Sequence, residues 1–385
     1  VSIIIFIIIL GALIIVHELG HFFVAKKFGI RVDEFGLGYP PKIKKLFSWR
    51  GTDFTLNWFP FGGFVKIFGE DGEEDEALSE KAELPAHGQA SGHSRPTQPS
   101  PGYVKTGFAS FVSKSPGVQA SVLVAGVVGN FLFAWLLISL GLTLGLPASQ
   151  STSLPLENPQ TTITSVLTDS PAEKAGLLMG DAIVSANRGQ IQAEVSPMGV
   201  ADLIASSREP VTFSISRRGD IKEIIVAPEI NESIGGLAIG VSMDVVGIAK
   251  LSPPRALWQG LITTAQLTVV IVVALVDIVI QIFSGQGGLA NLTGPVGLVG
   301  MVGQASHLGF AYLLSFTALI SINLAIINLL PFPALDGGRL LVVLIETVSR
   351  KKISAKVTTI VNSIGFALLL LLMIFVTVQD LRHIF

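Results

Sequence analysis

The 385-residue chain contains no cysteine. Disulfides and thiolate metal sites are thereby excluded, and any bound metal must take nitrogen and oxygen ligands. Charge is scarce too: Asp, Glu, Lys and Arg make up 14% of the residues, against 50% that are apolar. A mean hydropathy of +0.64 is too high for an ordinary soluble enzyme. With 26 basic and 28 acidic side chains, the chain lacks the basic footprint that nucleic-acid binding requires. The few charges cluster between long apolar runs instead of spreading along helix faces, which separates lipid-facing segments from aqueous ones. The chain reads as an integral, α-helical membrane protein.

Four segments have the length of a span, about 20 residues each: residues 1–24, 118–146, 310–332 and 359–378. The first lacks a basic leader and a small-residue cleavage site, so it reads as a retained span and not a signal peptide. A fifth apolar segment, residues 256–283, competes with these. Positive-inside counting puts Lys26, Lys27, Arg31 and Lys42 in the cytoplasm, together with Arg339, Arg350, Lys351 and Lys352. Only four crossings satisfy both ends, so 256–283 is expected to lie on the outer leaflet as an interfacial helix. Residues 25–69 alternate in a strand-like manner with Gly and Pro punctuation, predicting a membrane-associated β-hairpin or small sheet on the cytoplasmic side. Residues 70–107 are acidic, then rich in Pro, Ser and Gly, and are expected to form a flexible linker in which His87 and His93 are solvated.

Ionisable groups inside lipid cost about 2.5 to 3.5 kcal/mol each on the insertion scale. The first apolar run nevertheless ends in "HELGH", placing His17, Glu18 and His21 within five residues. On a helix, positions 17 and 21 project about 40° apart, so both imidazoles reach one ion. Glu18 lies about 100° round from His17, beside that ion, where it can take a proton from water. This is the spacing of zinc peptidases. Catalytic zinc needs a third protein ligand, and the carboxylates near apolar segments are Asp277, Asp336, Glu346 and Asp380. Asp336 stands in "NLLPFPALDGGR", within a third span element running to residue 338. There Pro331 and Pro333 break a helix, and Gly337 and Gly338 permit a tight turn that aims the carboxylate into the bundle.

Residues 161–228 form a compact α+β pattern. Its "SPAEKAGLLMGDAIVSANR" resembles the signature of bacterial permuted PDZ domains at Ser170, Pro171, Ala172, Ala175, Gly176, Leu177, Gly180, Asp181, Ile183 and Asn187, with Arg188 where the family usually has Gly. Together with "FGGFVK", "AGVVGNFLFA" and "SINLAIINLLPFPALDGG", these features resemble the site-2 protease family of intramembrane zinc metalloproteases, in its bacterial branch with a PDZ insert. The resemblance covers nearly the whole chain. It implies four transmembrane helices, an inserted PDZ domain, Zn2+ on His17, His21 and Asp336, and Glu18 as catalytic base. It also implies Asn130, Asn323 and Asn328 facing the site toward substrate. The implied substrates are single-span membrane proteins such as anti-sigma factors or signal-peptide remnants, cleaved in the bacterial cytoplasmic membrane near its inner face. The implied PDZ domain lies outside, excluding ectodomains or binding peptide. Two other readings are a non-enzymatic PDZ adaptor with a structural metal, and a metal transporter. An intact Glu18 argues against the first, and a second span free of ionisable residues argues against the other.

Overall fold

The computed structural model describes residues 2–70, 110–152, 154–167, 169–217, 219–231, 235–284 and 294–384. The stretch expected as a linker, apart from Glu70, lies outside the described residues, and so do His87 and His93. Helix α1 (Ser2–Lys27) leads into β1 (Val32–Trp49), β2 (Thr52–Ile67) and α2 (Pro116–Leu144). A mainly β region follows: β3 (Leu146–Ser149), β4 (Leu156–Val166), α3 (Pro171–Ala175), β5 (Ala182–Arg188), β6 (Ile191–Gln192), α4 (Pro197–Ala205), β7 (Val211–Arg217), β8 (Asp220–Val226), β9 (Glu229–Asn231), β10 (Gly236–Ala238) and β11 (Val241–Ala249). Five helices come last: α5 (Pro253–Phe283), α6 (Pro295–Leu308), α7 (Phe310–Leu329), α8 (Asp336–Ser349) and α9 (Ala355–Ile384).

Among the described residues five helices, α1, α2, α5, α7 and α9, are long and apolar enough to cross a membrane. On α9 the exposed Ile360, Ile364, Phe366, Leu371 and Phe375 would form an aggregation-prone face in water, and lipid is the solvent they suit. The protein is a membrane protein. The sequence reading counts four spans, whereas α5 matches the others in length and in its hydropathy of 2.4. Apolarity alone therefore does not set α5 apart.

The chain divides into two compact units, one holding residues up to Leu137, Leu261–Gln304 and Phe316 onward, the other Ile138–Gly260 and Ala305–Ser315. In the first unit, α1 and α2 run antiparallel at very close range. A Cβ on Gly20 would collide with the Ala125 carbonyl, and one on Gly129 would lie 3.0 Å from the Val16 carbonyl oxygen. Small residues permit this approach, as in lipid-embedded helix pairs generally. Phe22, Ile30, Val32, Phe35, Ile67 and Leu123 close the core beside the hairpin. The hairpin folds back on itself: Phe35 of β1 pairs with Phe54 on one side and with Val65 on the other. The Gly63–Ile67 end of β2 is thus an outer edge, and no described strand pairs with its far side.

The second unit is built on an antiparallel sheet of order β3-β11-β4-β5-β7-β8, with β6 against β5. Its core is formed by Ile163, Leu177, Ile183, Val211, Phe213 and Ile215. The sheet extends beyond residues 161–228, because β3, the start of β4 and β11 belong to it as well. Ser170 caps α3 by accepting from the Glu173 N–H at 3.2 Å, and Gly176 ends that helix at φ 89°, a left-handed conformation suited to glycine. The unusual Arg188 is buried, and its guanidinium donates to Ser206 Oγ at 2.8 Å, to the Leu203 carbonyl and to the Ser207 carbonyl at 3.3 Å. It satisfies the carbonyls that α4 leaves open at its C-terminus.

Candidate metal centre

His17 and His21 lie on α1 and point toward α2 and the start of α8. Gly126 of α2 faces both rings: a Cβ there would collide with His21 Nε2 and lie 2.9 Å from His17 Nδ1. Glycine at this position leaves room for the two imidazoles. The third group arrives by a broken path. α7 stops at Leu329, and Pro331 and Pro333 cannot continue a helix that needs their N–H groups. Ala334 then adopts φ 71°, and its N–H is held by Asn362 Oδ1 of α9 at 3.3 Å. Pro333 is seated against Gly365, where a Cβ would lie 2.5 Å from the proline ring.

Asp336 opens α8 directly after this detour. Gly337 and Gly338 form the first turn of that helix, whereas the sequence reading made them a tight turn of their own. Cβ atoms on them would collide with the carbonyls of Leu329, Leu330 and Phe332, so glycine allows α8 to tuck beneath the loop. Asp336 Oδ2 then sits 3.1 Å from His17 Nε2 and 3.3 Å from His21 Nε2.

One donor atom from each of His17, His21 and Asp336 falls within 4.8 Å of the others. His21 Nδ1 lies 2.8 Å from the Val122 carbonyl and donates to it, which leaves the Nε2 lone pair free toward the cluster. Asp336 Oδ2 is buried and has no hydrogen-bond partner among the described residues, which leaves it available to a cation. Two imidazole nitrogens and one carboxylate oxygen are the donor set of catalytic zinc with an open fourth position. The residues fit the ion.

A cavity of about 980 Å³ opens onto the cluster. Glu18, Tyr39, Gly63, Phe64, Glu70 and Arg339 line it beside His17, His21 and Asp336. Gly63 brings the β2 edge next to Glu18, at 3.6 Å from Glu18 Cγ to an added Cβ. Glu70 and Arg339 form an ion pair in the wall. The sequence reading left Glu70 at the head of a linker, and nothing in local composition marks its partner.

The three asparagines part company. Asn328 Nδ2 lies 3.4 Å from His17 Nε2, at the cluster. Asn323 donates to the Leu319 carbonyl one turn back in its own helix at 3.0 Å. Asn130 is fully buried, with Nδ2 3.4 Å from His17 Nδ1, and none of the three asparagines lines the cavity. Asn130 meets His17 at the ring nitrogen that does not face Asp336. The Val122 carbonyl escaped the sequence reading because a backbone oxygen carries no residue signal.

A family model for peptidase family M50 matches residues 5–372. The chain is 35% identical over 373 residues to the Clostridium perfringens protein CPE1693, covering 96% of either sequence. It is 32% identical to the zinc metalloprotease RasP of Geobacillus kaustophilus over 433 aligned positions, covering all of this chain and 98% of the relative. Identity to RasP of Oceanobacillus iheyensis is 29%, covering all of this chain and 99% of that protein. The two histidines, the acid and the open cavity are therefore read in a chain that belongs to peptidase family M50 and is a zinc metalloprotease.

Proposed function

We propose that this chain hydrolyses peptide bonds of single-span membrane proteins at the cytoplasmic side of the bilayer, with zinc held by His17, His21 and Asp336. The carrying observation is the meeting of these three donors within 4.8 Å at the wall of a cavity that also contains Glu18. Zinc, when bound, supplies Lewis acidity, polarising the scissile carbonyl and lowering the pKa of water. Glu18 takes the proton of the attacking water on its carboxylate and delivers it to the departing amine nitrogen. Asn328, 3.4 Å from His17, would donate its amide N–H to the oxygen that gains charge. A helical substrate has no free carbonyl and must unwind. The Gly63–Ile67 edge would hold it extended by strand addition, beside Glu18.

Four crossings accord with the ligand contacts. A Cβ on Gly303 would lie 2.7 Å from Ser2 Oγ, while Asp336 meets His17, so the chain from Gly303 to Asp336 runs in the same sense as α1. Since α2 runs against α1, an even number of crossings, in this reading none, must separate α2 from α7. α5 then lies along the outer leaflet, and the second unit, a permuted PDZ domain in this reading, is exported to select trimmed substrates such as anti-sigma factors or signal-peptide remnants. A cysteine placed at Ser284 should label from outside the cell. Labelling there only after permeabilisation would overturn the four-span arrangement.

Glu18→Gln tests the chemistry. Cleavage of a single-span reporter in proteoliposomes should drop by about 10²- to 10⁴-fold with zinc content unchanged. Retained cleavage would remove Glu18 from the base role.

A further inference from the structure

The two imidazoles of the cluster are supported differently on their far sides. His21 gives its Nδ1 proton to the Val122 carbonyl at 2.8 Å, a second partner that fixes both tautomer and ring plane. His17 must satisfy the same requirement. To offer Nε2 toward Asp336 and His21, 3.1 and 3.2 Å away, its proton must reside on Nδ1 and needs an acceptor. The side chain that faces Nδ1 is Asn130, at 3.4 Å.

Asn130 is 0% exposed, and its Oδ1 has no hydrogen-bond partner among the described residues. An amide is nearly symmetric in shape, so its oxygen and nitrogen are assigned by the bonds they make. With Nδ2 toward His17, donor faces donor and a buried acceptor stays empty. Turned by half a rotation, Oδ1 accepts the Nδ1 proton and both groups are satisfied. The Asn130 backbone is fixed at this level, since Ser321 of α7 donates to its carbonyl at 2.8 Å.

We propose that Asn130 is the positioning residue of His17: its side-chain carbonyl accepts Nδ1–H and holds the ring in the tautomer that presents Nε2 to zinc. This rests on the assignment of zinc to His17, His21 and Asp336 above. It replaces a substrate role for Asn130 with one behind the ligand, and it gives each histidine an acceptor from α2, one main-chain and one side-chain.

The test uses the full chain in detergent, with zinc affinity measured by chelator competition and the cobalt form followed by its visible absorption. Asn130→Leu, which keeps the branched outline and removes the acceptor, should weaken zinc binding about 10- to 100-fold and shift the cobalt bands. Asn130→Asp, which keeps an acceptor oxygen, should restore near-native affinity. At saturating zinc, KM for a single-span reporter should stay within about twofold in Asn130→Asp, as expected for a residue that substrate does not touch. Unchanged zinc affinity in Asn130→Leu together with a raised KM would overturn the proposal. Should Asn130→Leu fail to fold, the ¹⁵N-histidine spectrum of the native zinc protein decides. The ring signal missing from His17→Ala must show a protonated Nδ1, and an unprotonated one overturns the assignment. His17→Ala also separates the two readings, because full zinc occupancy in that variant removes the zinc assignment itself and not the Asn130 contact.

Discussion

Asp181 in one compact unit and Asp336 in the other both turn a carboxylate toward nitrogen side chains, and they are treated in opposite ways. Asp181 is 1% exposed and fully engaged: Arg217 donates Nε to Oδ1 and Nη2 to Oδ2, each at 2.7 Å, and the Leu178 N–H adds a bond at 2.9 Å. Asp336 faces two imidazoles, yet its Oδ2 accepts no hydrogen bond. A buried carboxylate with both oxygens hydrogen-bonded fastens a fold. One with an oxygen left open among nitrogen lone pairs awaits a cation.

The contrast can be broken first at the cluster. Asp336→Asn should reduce cleavage by about three orders of magnitude or more, the several kcal/mol that a Lewis acid contributes to a hydrolytic transition state. Zinc content, measured by elemental analysis, should fall with it, while the thermal transition of the metal-free protein stays in place. Gly126→Ala comes next. The added methyl would push on both rings, and a displacement near 1 Å should cost about 100-fold in activity. The check is whether excess zinc restores part of that loss.

Asp181→Ala should do the converse. Removing the carboxylate leaves Arg217, whose side chain is 23% exposed, with the Gly176 carbonyl as its remaining partner, and should destabilise the second unit by about 2 to 3 kcal/mol. Limited proteolysis against temperature would register the loss, with zinc stoichiometry unaltered. Activity lost through missing zinc in this variant would erase the distinction between the two acids.

A third carboxylate sharpens the comparison from the solvent side. Lys45 and Ser48 hydrogen-bond Asp53 at the hairpin tip and hold its carboxyl below the ordinary range. A folded-state pKa below the unfolded one means that the contribution is present above the unfolded value, about 4, and fades as pH falls through the folded one. Protection factors at the tip, taken relative to the intrinsic exchange rate at each pH, should fall only under acid conditions. The group is fully exposed, so this is the smallest of the effects.

These differences also mark what could be read in advance. His17, Glu18 and His21 were legible because lipid makes them expensive and a helix makes their spacing meaningful. Asp336 was legible because two prolines and two glycines interrupt an apolar run beside it. The roles of the asparagines were not, since Asn130 and Asn323 are alike as letters in apolar helices. The fold decides that one reaches an imidazole and the other its own Leu319 carbonyl. The start of α8 at Asp336 was hidden for a similar reason, because glycine was read for its backbone freedom when close approach to three carbonyls was what it provided.

The three donors of the cluster sit early and late in the chain, at positions 17 and 21 and then 336. A ribosome therefore delivers the histidines and Glu18 long before the acid that completes the set. With zinc assigned as proposed, a nascent chain short of Asp336 would hold no complete centre and so no means of cutting itself or its neighbours. Timing of synthesis would then do the work that a removable inhibitory segment does in secreted proteases.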